Sequence, residues 1–137
     1  SMFHDLTINS LDIADLILLM LVPNMNHLKT THVCLQVMEN LKYPKEKIKL
    51  LLNRANCERS MNREELETGL KRKIDFTMSD DFQNVSELIE HQKTVYELNN
   101  ESPYREDMNR LIEVITGKKA DAAKKGLTGL LKSFFGQ

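Results

Sequence analysis

The chain has 137 residues, 41% hydrophobic and 28% charged, with a formal net charge of −1. That is chain enough for one modest globular domain, and so even a balance excludes a surface that coats nucleic acid. The longest apolar run, Leu16 to Val22, covers seven residues, far short of the ~20 a membrane-spanning helix needs. No secretory leader is read at the amino end, where Ser1-Met2 has the character of a cloning remnant. Cys34 and Cys57 lack CxxC spacing and read as reduced thiols of a cytoplasmic protein. The five glycines (69, 117, 126, 129 and 136) form neither a GxxxxGK[ST] loop nor a GxGxxG turn. By itself the chain is therefore expected to hold no nucleotide phosphate and to be no enzyme.

Along the chain, Asp15 to Pro23 is a continuous apolar run closed by proline, the pattern of a strand buried on both faces of a parallel sheet. A helix follows from about Asn26 to Lys42, with Leu28, Leu35, Met38 and Leu41 on one side. Tyr43-Pro44 ends it, because the residue before proline disfavours the helical state. Lys47 to Asn53 reads as a second buried strand and Arg54 to Ser60 as a loop. Asn62 then caps a short helix, with Glu65 as its reciprocal partner. Ile74 to Met78 is a third strand, and Phe82, Val85 and Ile89 mark a helix ending near Gln92. Ser102-Pro103 opens a last docked helix, striped by Tyr104, Met108, Leu111, Ile112 and Ile115, with Gly117 just past its end. Strands alternating with helices imply an α/β fold: a parallel sheet with flanking helices. Three strands are few for such a sheet, which suggests part of a larger one.

Three stretches carry a resemblance. His4 to Pro23 is a helix followed by a strand written Ala14-Asp-Leu-Ile-Leu-Leu-Met-Leu-Val-Pro23; Lys47 to Asn56 ends in Asn53-Arg-Ala-Asn56; and Thr77 to Leu88 begins Thr-Met-Ser-Asp-Asp-Phe. Together they resemble the C-terminal half of the MinD/ParA family of deviant P-loop ATPases, a Rossmann-like fold. Tyr43-Pro44 and the long helix from Pro103 favour its TadZ/CpaE branch, associated with tight-adherence pili. Ser79 stands where the family pattern usually has proline, and the half carrying the Walker A lysine and the magnesium ligands is absent.

Asn53 ends a strand at the carboxyl edge, where open α/β sheets bind ligands. Its amide offers a donor and an acceptor to the edge of a base. The resemblance implies that role for Asn53, with Arg54, Ser79, Asp80 and Asp81 around the same pocket. ATP or ADP with Mg would occupy the intact parent. The bland alternative is that Asn53 ties down its own loop, as asparagine does at strand ends. The four histidines (4, 27, 32 and 91) show no metal-ligand spacing, and no catalytic set stands out.

Residues 3–117 are thus read as the ATPase-like part and 118–137 as a separate basic tail. That tail carries five lysines against one acid. At helical spacing, Ala123, Leu127, Leu130, Leu131, Phe134 and Phe135 share one arc, with Lys118, Lys125 and Lys132 opposite and Lys124 at the flank. This is the pattern of a helix lying in a membrane interface. MinD-like proteins end in a similar tail used for reversible attachment, and the resemblance implies a location at the inner face of the cell membrane. One tail binds marginally and two in a dimer far better. The alternatives are a tail docked on protein and, less well matched because it lacks arginine, a basic arm for DNA. The resemblance implies a polar localisation factor for pilus assembly, with other assembly proteins as partners. A protein-interaction adaptor, or a MinD-like regulator of division site or flagella, is the alternative. An open apolar sheet edge adds an expected homodimer or a strand- or helix-exchanged oligomer.

Overall fold

Local chemistry sets most element boundaries. In a computed structural model that describes residues 5–58, 60–98 and 102–118, the chain runs α1 (Asp5–Ile13), β1 (Ile17–Leu21), α2 (Met25–Asn40), β2 (Ile48–Ala55), α3 (Arg63–Leu70), β3 (Phe76–Ser79), α4 (Phe82–Glu90) and α5 (Pro103–Thr116). It forms two compact units, one closing at Asp80 and the other opening at Asp81.

The first unit is built on a parallel sheet ordered β1-β2-β3. Ile17 pairs with Ile48 and Leu21 with Leu52; Leu51 pairs with Phe76 and Ala55 with Ser79. Leu21, Leu50, Leu52 and Ala55 join Leu66 and Leu70 of α3 and Ile74 in the main core, with Leu28 and Leu35 of α2 packed against it. A smaller cluster of Ile17, Met38 and Ile48 meets Leu11 and Ala14 at the α1 side. β2 is buried at Ile48 and through its apolar run of Leu50, Leu51 and Leu52. β1 departs from the expectation of burial on both faces: among the described residues it pairs only with β2, and Met20 is 54% exposed.

Side chains set the remaining ends. Asn24, not foreseen as a cap, accepts the His27 amide at 2.9 Å and starts α2. The helix stops at Asn40, leaving Leu41 41% exposed rather than on the buried side. Asn62 and Glu65 exchange the two hydrogen bonds of a capping box, each 2.8 Å. β3 starts at Phe76 rather than Ile74 because the Ile74 backbone is already committed. Its N–H donates to Glu67 Oε1 at 2.9 Å and its carbonyl accepts from Arg63 at 2.6 Å.

In the second unit, Ser102 caps α5 through the Arg105 amide, Pro103 takes the first turn, and Gly117 adopts φ 67 as the left-handed cap. Leu111 is the buried anchor of that helix, whereas Ile115 is 46% exposed. α4 corrects the expected stripe. Its buried residue is Leu88, while Phe82 and Ile89 are 66% and 73% exposed. Among the described residues no helix is long and apolar enough to cross a membrane. Lys118 is exposed at the last described position. The other tail residues, Lys124, Lys125, Leu127, Leu130, Leu131, Lys132, Phe134 and Phe135, lie outside the described residues.

Candidate functional site

At the carboxyl end of β2 the ladder to β3 breaks register between Leu52 and Ala55. One extra residue is accommodated there, and the backbone turns left-handed at Arg54 (φ 55) and again at Asn56 (φ 68). For residues with a Cβ this conformation costs about 1–2 kcal/mol, so it persists only where surrounding bonds enforce it. Two side chains, Asn53 and Asp80, supply such bonds. Asn53, half-buried, turns its Oδ1 back to accept the Arg54 amide at 3.0 Å. The Arg54 guanidinium reaches Asp80 at two points, Nε to Oδ1 at 3.0 Å and NH2 to Oδ2 at 3.5 Å. Asp80 is in turn fixed by its own N–H, which donates to the Ala55 carbonyl at 3.1 Å.

The Asp80 carboxylate raises the pKa of Arg54 still further, holding a permanent cation at the strand end. Ser79 pairs with Ala55 on β3, so Asn53, Arg54, Ser79 and Asp80 converge on one edge of the sheet. Asp81 has different work, in the second unit. Its carboxylate accepts from Asn84 Nδ2 and from Ser102 Oγ, each at 2.6 Å, joining the starts of α4 and α5. Chemically, the edge offers an amide, a hydroxyl and a paired cation and anion. It suits planar hydrogen-bonding recognition rather than bond breaking.

Before the start of β3, around Glu67, lies a network the sequence did not announce. Glu67 accepts Lys73 Nζ at 2.8 Å, the Ile74 amide at 2.9 Å and Arg63 Nε at 3.0 Å, which lowers its pKa to about 2. Arg63 and Glu67 are four apart on α3, the spacing of neighbours on one helix face. Lys73 and Ile74 lie six and seven residues on, past the end of α3, a spacing with no helical signature. His27, His32 and His91 join no cluster: among the described residues no three metal-ligating side chains stand together. Cys34 is a buried thiol on α2, its pKa raised by that burial.

No protein-family model and no curated protein sequence matches the chain significantly. Among solved structures it is similar to a ParA family ATPase from Chlorobium tepidum TLS, with a TM-score of 0.68 and 19% identity. The likeness covers 76% of this chain and 43% of that one, so the chain spans less than half the length of its structural neighbour. At that identity the finding concerns architecture: three parallel strands with flanking helices form a portion of a ParA-like Rossmann fold.

Proposed function

We propose that this chain supplies the base-binding side of a ParA-type ATP or ADP site, with phosphates and Mg held by residues outside these 137. The observation that carries the reading is the left-handed Asn53-Arg54 step at the carboxyl edge of β2, locked by Asp80. Ligands of open α/β sheets bind at that edge. The Asn53 amide can present donor and acceptor to an adenine edge, and Ser79 ends the neighbouring strand opposite Ala55. The ParA family ATPase that shares the fold supports the choice of nucleotide.

The fuller reading is a TadZ/CpaE-like positioning factor for tight-adherence pili, acting as a dimer beside other pilus-assembly proteins. Residues 118–137 would hold it at the inner face of the cell membrane through Lys118, Lys124, Lys125 and Lys132 and the apolar arc of Leu127, Leu130, Leu131, Phe134 and Phe135. Each lysine near an anionic surface adds about 1 kcal/mol. A second reading, a protein-interaction adaptor without nucleotide, is favoured by the 3.0 Å bond from the Arg54 amide to Asn53 Oδ1, which occupies one acceptor site of that amide.

The deciding experiment is an amide-shift titration of the whole chain with adenosine and with guanosine, each at millimolar concentration. Saturable shifts at Asn53, Arg54 and Asp80 with adenosine alone, lost in Asn53→Ala, are expected. Equal responses to both nucleosides, or none at these amides, would leave the adaptor. Sedimentation with anionic liposomes, beside a chain ending at Gly117, tests the tail separately.

A further inference from the structure

The amino end of the sheet carries a second feature, roughly 17 Å along β2 from Asn53 at the usual rise per strand residue. A cleft of about 430 Å³ opens there, within the first unit, between α2, the start of β2 and the end of α3. Its volume lies in the range of small-molecule sites. Leu35, Ile48 and Leu70 line it with apolar surface. Charged lining comes from Lys45, Lys71 and Arg72, against a single acid, Glu39. The chain as a whole is slightly negative, so this cleft has the opposite sign from the molecule that holds it.

The end wall is fixed in advance. One terminal nitrogen of Arg72 donates to two backbone carbonyls, those of Lys45 at 2.8 Å and Ile48, and thereby ties the loop after α3 to the start of β2. Lys71 precedes it in the left-handed conformation (φ 52) that ends α3, and its side chain is exposed at the cleft. Lys45 is 3.9 Å from Glu39 with both side chains mostly in solvent, so that pairing is weak. Two exposed cations therefore stand beside apolar lining whose frame is already set.

We infer that this cleft binds a small organic anion, an apolar or aromatic body bearing a carboxylate or comparable acid, with the body on Leu35, Ile48 and Leu70 and the acid between Lys45 and Lys71. The inference is independent of the base site at the other end of the strands. Hydrophobic contact supplies most of the affinity, and the lysines supply the sign preference.

The test is an amide-shift titration of the whole chain with three probes of one shape: 2-naphthoate, neutral 2-naphthalenemethanol and cationic 2-naphthylmethylammonium. Saturable shifts centred on Leu35, Ile48 and Leu70 to Arg72 are expected with naphthoate. The neutral probe should bind about fivefold more weakly, the scale of two exposed charge contacts, and the cation more weakly still. The exposed double variant Lys45→Glu/Lys71→Glu should keep a folded amide spectrum and lose the preference for the anion. Neutral and anionic probes binding equally, shifts centred elsewhere, or no saturable response to naphthoate up to its solubility would overturn the proposal.

Discussion

Arg54 grips Asp80 across the ends of β2 and β3 with two nitrogens, at 3.0 and 3.5 Å, from a backbone held left-handed at φ 55. The ion pair and the strained backbone oppose each other energetically, and substitution separates them. Arg54→Ala removes the pair but keeps the Cβ strain. Arg54→Gly removes both, so it should be the more stable of the two by about 1 kcal/mol. Chemical denaturation of the two variants side by side checks this; Gly equal to or below Ala would show that φ at 54 relaxes freely.

Glu67 should add to the acid sensitivity of the first unit. Three donors, Lys73 foremost, hold its pKa near 2 against 4.5 in the unfolded chain. A depressed carboxylate contributes stability that is complete above the unfolded value and is lost as pH falls through the folded one. Stability should therefore decline between about pH 4.5 and 2, and Glu67→Gln should flatten that decline while lowering the plateau at neutral pH. Urea midpoints measured from pH 7 to 2 would show it. Parallel curves for both proteins would assign the acid slope to other carboxylates.

Gly69 sits where α3 meets α2: a Cβ there would lie 2.9 Å from Cδ2 of Leu28, the flexible tip of that side chain. Alanine gains about 1 kcal/mol of helix propensity over glycine, offset by the shift Leu28 must make. Gly69→Ala should change stability by less than about 1 kcal/mol, whereas in a Leu28→Ala background the same change should deliver its full propensity gain. A double-mutant cycle by denaturation reads the coupling directly.

Ser102 ties two helix starts together in the second unit. It is 4% exposed, accepts the Arg105 amide at 3.3 Å and donates to Asp81 at 2.6 Å. Ser102→Ala removes a cap and leaves a carboxylate oxygen without its donor, at a cost of about 1–2 kcal/mol. Ser102→Thr should recover most of it. Thermal unfolding of the pair suffices.

What could be read from the sequence follows the range of the interactions involved. Asn62 with Glu65, and Ser102-Pro103 with Gly117, are contained within a few residues, and each end was placed where it lies. β1 and the Leu50, Leu51 and Leu52 stretch of β2 were legible as continuous apolar runs, whereas β3, with Thr77 and Ser79 and only Met78 buried, carries a weaker signal. Long-range commitments were not legible. Ile74 looked like strand until Arg63 and Glu67 claimed its backbone, and Arg54 looked like loop although β2 continues through a bulge to Ala55. Of the five residues the resemblance implies for the candidate site, Asn53, Arg54, Ser79 and Asp80 lie at the ends of β2 and β3, whereas Asp81 bonds Asn84 and Ser102 in the second unit. The Arg54–Asp80 bond spans 26 positions and has no one-dimensional trace. Phe82 and Ile89 show the converse error: helical spacing gave their period and not which side of α4 is covered.

Asp75 has one further consequence. Its carboxylate accepts the Leu50 amide at 2.8 Å while its own N–H donates to the Leu50 carbonyl at 3.0 Å, so a side chain stands in for a strand rung before β3 begins. With Asp80 bonded to Ala55 past the other end, a four-residue strand is clasped outside both of its termini. Such a strand cannot peel away one residue at a time. Hydrogen exchange should find the Leu50, Asp75 and Asp80 amides opening together, in a single event that also releases Arg54.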